Sequence, residues 1–217
     1  MMKKLLYLLL VFCSFSSYKC QDKKSSDFIK TLGNGYYSIP NKVGNQLILS
    51  NYQNYKNNND SIFLEKILYL YEKDNFILVI GNIMGSKTSL VLALEKNKEK
   101  FEYVYSEQVA LIDTVEKEII KDYTFLKLNN IYSDICSERE VLLIYILDNL
   151  RFYKSFEGIK SEEFNNTGDS LCQRGVSYIQ NFDLKFENNE IVLNAHKKGT
   201  DKKSEFKKYY FKNHQFK

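Results

Sequence analysis

The sequence predicts a mainly β fold, an antiparallel meander of hairpins with one to three short helices, and leaves an α+β arrangement as the alternative. Three observations carry that expectation. Apolar runs of strand length are separated by short polar turns, as where residues 67–71 and 76–80 flank Glu72-Lys73-Asp74-Asn75. Apolar and polar residues alternate cleanly in Phe182-Asp183-Leu184-Lys185-Phe186, the period of a half-buried strand. Convincing helical periodicity is scarce, and the connections are short and local, which favours antiparallel neighbours. No fixed-period repeat is visible.

Taken in order, residues 28–32 read as a short helix ended by Gly33-Asn34-Gly35, a turn signal because these residues tolerate positive φ. Tyr36-Tyr37-Ser38-Ile39 reads as a strand closed by Pro40. Residues 46–55 are ambiguous, and Asn57-Asn58-Asn59-Asp60 is a loop. Residues 61–71 lead into the first hairpin, with a helix capped by Asp60 or Ser61 as the alternative. Residues 89–94 and 101–105 flank Lys96-Asn97-Lys98-Glu99 as a second hairpin, with Tyr103 and Tyr105 on one aromatic face. Val115-Glu116-Lys117-Glu118-Ile119-Ile120, within residues 109–121, fits a helix. The apolar run 141–147 reads as a central strand that turns at Asp148-Asn149. Glu187-Asn188-Asn189-Glu190 turns the chain into a strand at 191–193, and residues 206–211 form the last strand before Lys212-Asn213-His214.

Composition narrows the class. The 217 residues are 44% hydrophobic and 15% aromatic, with 9 Gly and 1 Pro, which excludes a disordered or collagen-like chain. The net charge of +4 falls to +1 if residues 1–19 are removed, because Lys3, Lys4 and Lys19 leave and no acid does. From Glu190 onward eight Lys face Glu190, Asp201 and Glu205. Lysines on terminal strands discourage edge-to-edge aggregation, and no nucleic-acid partner is expected.

The first nineteen residues read as a signal peptide. Lys3 and Lys4 precede an uncharged apolar stretch, 5–15, that would cover about 16 Å as a helix, roughly half of a bilayer core. The region after this stretch resembles a bacterial lipoprotein signal: Cys20 stands at the acceptor position, and Gln21-Asp22-Lys23-Lys24-Ser25-Ser26-Asp27 is similar to the polar tether of that family. The resemblance implies cleavage before Cys20, lipidation of its sulfur and amine, and anchoring at a periplasmic or outer-membrane face. Where the family prefers a small residue before the Cys this chain has Lys19. An ordinary signal peptidase has the alternative of Ser14 and Ser16, a cut before Ser17 and plain secretion. The expected organisation is a signal peptide at 1–19, a lipidated Cys and tether at 20–30, and a single mostly β domain at 31–217.

After export Cys136 and Cys172 remain as an even pair. A disulfide between them would close a loop of about 35 residues and contribute roughly 3–4 kcal/mol in the chain-entropy model. Two separately buried thiols are the alternative.

Two motifs resemble catalytic ones. Gly81-Asn82-Ile83-Met84-Gly85-Ser86-Lys87-Thr88 is similar to a phosphate-binding loop, but Ser86 stands where a second Gly should precede the Lys, and the segment reads as a connection between two strands. Gly168-Asp169-Ser170-Leu171 resembles the nucleophile motif of the GDSL esterase and lipase family, which would make Ser170 the nucleophile with His196 or His214 as base. Neither His has the Asp three residues earlier that the family carries. Two His and no close Cys/His spacing give no metal site, and no cofactor is expected. The expectation is therefore an exported, membrane-anchored binding or structural module without catalytic residues, acting on a protein partner in the envelope through exposed Tyr and Phe. The alternative is an exported GDSL-like serine esterase using Ser170.

Overall fold

Turn chemistry organises the chain into a ladder of hairpins. Asn149-Leu150, Asn188-Asn189 and Asn213-His214 each place both residues at positive φ, the backbone of the two-residue turns that match strand twist. Asp74 and Lys121 open two further tight turns at φ 53° and 54°. A computed structural model describes residues 28–49, 60–97, 100–134, 136–164, 177–199 and 204–217. The strands are β1 (Lys30–Thr31), β2 (Tyr37–Pro40), β3 (Lys42–Val43), β4 (Gln46–Leu47), β5 (Ser61–Lys73), β6 (Phe76–Ile83), β7 (Thr88–Asn97) and β8 (Lys100–Ile120). They continue as β9 (Tyr123–Ser133), β10 (Ser137–Asp148), β11 (Arg151–Phe164), β12 (Tyr178–Glu187), β13 (Glu190–Gly199), β14 (Ser204–Lys212) and β15 (Gln215–Phe216).

Thirteen of these form one antiparallel sheet in which, apart from the small β3–β4 hairpin, each strand pairs with the next in sequence. The mainly β, antiparallel meander is therefore the fold. Helix is limited, among the described residues, to the single 3₁₀ turn Gly33–Gly35. Residues 28–32 are not helical: Phe28 and Ile29 are buried, with Phe28 against Phe101 at 4.9 Å, and Lys30 and Thr31 pair with Ser38 and Tyr37. Residues 61–71 lie in β5. The segment 115–120, expected to be helical, is the second half of β8, where Glu116 and Glu118 share Lys127 of β9 at 3.1 and 3.2 Å. Cross-strand pairing supplied by β9 overrides local propensity there.

The ladder folds back on itself, so its middle strands are buried on both faces. In β10, Val141, Leu143, Tyr145 and Leu147 enter one core, while Leu142, Ile144 and Ile146 enter another. In β6, Phe76, Leu78 and Ile80 join the first of these cores, and Ile77, Val79 and Ile83 join a third under residues 28–49. Each such side chain contributes roughly 1.5–3 kcal/mol by burial, and this is why these strands read as continuous apolar runs.

β8 carries the fold across. Its first part pairs with β7 as far as Thr88↔Ala110, and its last part pairs with β9 from Leu111↔Ile131 onward. At the exchange, buried side chains complete the backbone bonding. Ser89 Oγ accepts from the Ile112 amide at 2.8 Å and donates to Asn82 Oδ1 at 2.7 Å, and Asn130 Nδ2 donates to the Ala110 carbonyl at 2.9 Å. Such substitutions for a missing strand keep buried polar groups paired. On the far side β11 pairs with β12, among the described residues, at Ser161↔Ile179 and Glu162↔Tyr178, and the last turn returns to β11, where Gln215 Nε2 donates to the Lys154 carbonyl.

Bulges decide which side chains share a face. An extra residue at Val104 sends Tyr103 to the core under residues 28–49 and Tyr105 to the core between β6, β7, β9 and β10, so the single aromatic face expected for these tyrosines does not form. In β11 an extra residue at Ser155 leaves Lys154 opposite Tyr145 and Phe156 opposite Ile144, on opposite faces. One added residue reverses the alternation of everything after it.

Candidate functional site

The densest polar cluster in the described residues grows from these bulges. Tyr105 and Glu107 come from β8, Tyr145 from β10, and Lys154 and Glu157 from β11. Three apart on a regular strand, Lys154 and Glu157 would face opposite ways, and the Ser155 bulge brings them to one side. Glu107 Oε2 accepts from the Tyr105 hydroxyl at 2.5 Å and the Tyr145 hydroxyl at 2.6 Å, while Oε1 accepts from Lys154 Nζ at 2.8 Å. Lys154 also meets Glu157 at 2.8 Å. Phe152 stacks on Tyr145 with centroids 5.1 Å apart and planes 3° from parallel, fixing the ring that presents the hydroxyl.

The charges follow from this packing. Burial pushes the Glu107 carboxyl upward, but the hydrogen bonds from Lys154, Tyr105 and Tyr145 outweigh it and hold the group below its ordinary value. Burial and the Glu107 carboxylate raise both tyrosines, so their hydroxyls stay protonated and donate. Burial works against the Lys154 ammonium, yet its bonds to Glu107 and Glu157 raise it above the usual lysine value. The result is a carboxylate held ionised and fixed in place by three donors.

Beside this cluster lies a cavity of about 690 Å³. Its walls are Glu107-Gln108-Val109-Ala110-Leu111 of β8, Ile131-Tyr132-Ser133 of β9, Lys154 and Glu157 of β11, and Lys87-Thr88 at the start of β7. Gln108 Nε2 donates to Thr88 Oγ1 at 2.8 Å, closing the wall nearest β7. Sequence reasoning misses this site, because its residues are spread over some seventy positions and converge only when the sheet folds. Glu107 and Lys154 carry no local signal that separates them from other charged strand residues.

The residues singled out in the sequence lie elsewhere. The loop-like segment from Gly81 to Thr88 is the end of β6, a turn at Gly85 with φ +69°, and the start of β7, so no helix follows Lys87. Of it, only Lys87 and Thr88 reach the cavity. Cys136 sits in the β9–β10 turn, where the Asp134 carboxylate accepts from its amide at 2.7 Å and from that of Ser137 at 2.6 Å; it is disulfide-bonded. Cys20, Ser170 and Cys172 lie outside the described residues. His196 is exposed on β13. His214 stacks on Tyr153 at 4.6 Å with Nε2 2.9 Å from Asp148 Oδ2, which fastens the last turn to the β10–β11 turn.

Among the described residues no three His, Cys, Asp or Glu side chains are grouped to hold a metal ion, and no helix is long and apolar enough to cross a membrane. Compared with known protein families, curated proteins and solved structures, the chain matches none.

Proposed function

We propose that the protein is an exported, membrane-anchored bacterial lipoprotein whose β domain is a non-enzymatic binding module, with the cavity beside Glu107 as its ligand site. The observation that carries the export reading is the leader: a basic start, a short apolar core, and Cys20 followed by a polar segment. Supporting it, Phe28 is already in the core, so residues 21–27 stand between the acceptor cysteine and the packed domain. Several acyl chains give a stable anchor where one gives only marginal binding. The binding reading is favoured by the bonding of Glu107 to three donors, which fixes its charge at the cavity wall.

Metabolic labelling with a fatty-acid analogue tests the anchor. The wild-type chain takes up label and fractionates with membranes, whereas Cys20→Ser does neither. Equal labelling of the two would overturn lipidation at Cys20.

One observation favours the second reading, an esterase using Ser170. His214 against Asp148 is a base–carboxylate pair of the kind a serine nucleophile uses. Assay of purified protein on short-chain nitrophenyl esters separates the two. No turnover above a Ser170→Ala control is expected, and activity lost on that substitution would replace the binding reading with the hydrolase.

A further inference from the structure

We infer that the cavity takes an extended peptide by strand addition to β8, with an acidic side chain of the peptide against Lys87 and a basic one toward Glu157. This rests on the binding reading and gives it a ligand class. Five successive residues of β8, from Glu107 to Leu111, line the cavity. Side chains of a strand alternate between its faces, so a cavity touching all five meets the strand's backbone as well as its side chains. Along residues 107–109 the edge of β8 away from β7 has no strand partner among the described residues: β9 pairs with β8 only from Leu111 onward, and beyond Ile131 it follows β10 through Tyr132↔Arg139 and Ser133↔Glu138. β7 occupies the opposite edge up to Ala110. Of the groups at this fork, the Ala110 carbonyl is already held by Asn130 Nδ2. An extended chain laid along residues 107–109 would meet main-chain donors and acceptors there, the mode by which peptides join sheet edges. Its alternate side chains would face Val109, Leu111 and Ile131 or point to solvent.

The charges orient it. Glu107 and Glu157 share the one ammonium of Lys154, so that end carries a negative surplus, and the Glu157 side chain is 54% exposed. Lys87 at the other end is exposed and has no hydrogen-bond or ion-pair partner among the described residues. A peptide with opposite charges at its two ends complements this polarity in only one direction.

The probe is a fluorescein-labelled nonapeptide of alternating Val and Thr with Glu second and Lys eighth, titrated by anisotropy against the detergent-solubilised full-length protein. Saturable binding is expected. N-methylation of alternate amides on the edge that faces β8 should weaken it at least tenfold, and methylation of the other set should not. Lys87→Glu, at an exposed position that leaves folding intact, should weaken binding several-fold, and a peptide with Lys second should recover it on that variant. Absence of saturable binding, equal binding of both methylated peptides, or indifference to Lys87→Glu would each overturn the proposal. Fatty-acid labelling of the same preparation stands apart from these outcomes: a labelled protein that ignores the peptide loses the ligand and keeps the anchor.

Discussion

Lys154→Met is expected to lower the unfolding free energy by about 2 kcal/mol at neutral pH and by less near pH 3. The substitution keeps most of the aliphatic stem and removes the ammonium, leaving Glu107 with the two tyrosine hydroxyls as its donors. Breaking a fully buried pair costs roughly 3–5 kcal/mol, and the smaller figure reflects solvent reaching both side chains, each 28% exposed. The pH dependence follows from the direction of the Glu107 shift. Its carboxyl is held lower in the folded chain than in the unfolded one, so its contribution is complete above the ordinary carboxylate value of about 4.3 and is lost as the pH falls through the folded value. Without Lys154 the upward push of burial loses its main opponent. The deficit is therefore largest where Glu107 must be charged and shrinks as acid neutralises it in both proteins. Urea denaturation at pH 7 and pH 3 measures the two values. An equal loss at both would show that the charge of Glu107 does not set the size of the effect.

Gly81→Val is expected to cost about 3 kcal/mol or more, or to prevent folding. β5 carries two register shifts within a few residues, at Glu65 and Leu68, and coils over β6 at Gly81. A Cβ at Gly81 would lie 2.8 Å from the Lys66 carbonyl oxygen and 3.1 Å from Leu64 Cδ1. The first obstacle is backbone, held by the pairing of Lys66 with Asn82 and of Ile67 with Gly81, and cannot swing aside as a side chain would. Thermal unfolding followed by circular dichroism should show a fall of about 6–12 °C for a 3 kcal/mol loss. Gly33→Ala is the control, since nothing lies within 4 Å of its Cβ position, and it should change stability by less than about 0.5 kcal/mol. A folded Gly81→Val protein with unchanged unfolding temperature would refute the close approach of β5.

Much of the ladder is legible in the sequence because hairpins are encoded locally. Glu72-Lys73-Asp74-Asn75 and Glu187-Asn188-Asn189-Glu190 read as turns from their own residues, and Lys73↔Phe76 and Glu187↔Glu190 close those hairpins. The run at 141–147 reads as central because a strand buried on both faces has no polar alternation to show. β9 and β11 escape such a reading, since Tyr123–Ser133 and Arg151–Phe164 mix polar and apolar residues without a clean period. The bulge at Ser155 explains part of this: a strand that changes phase in mid-course shows no single period to detect. The second half of β8 misleads for a different reason. Glu116, Lys117 and Glu118 are good helix formers, and their strand state depends on Lys127, which is close only when β9 is in place.

The site is illegible on the same grounds. Gly81 draws attention as part of an imitation phosphate loop, yet its lack of a side chain serves the passage of β5. Glu107, Tyr145 and Lys154 draw none, although they form the most heavily bonded polar group described. What joins them is the packing of β10 and β11 over β8 and the phase change at Ser155, both tertiary facts.

The neighbour-to-neighbour order of the thirteen strands has a kinetic consequence. From β5 to β11 each strand is separated from its next partner by only a turn of a few residues, so loop closure between them is short. A chain that becomes available from its amino end can zip each hairpin onto the one before it, leaving the outer edge of the newest strand as the template for the next. β8 marks the midpoint of such a process: its first half completes the early ladder, and its second half is the template on which the later one starts.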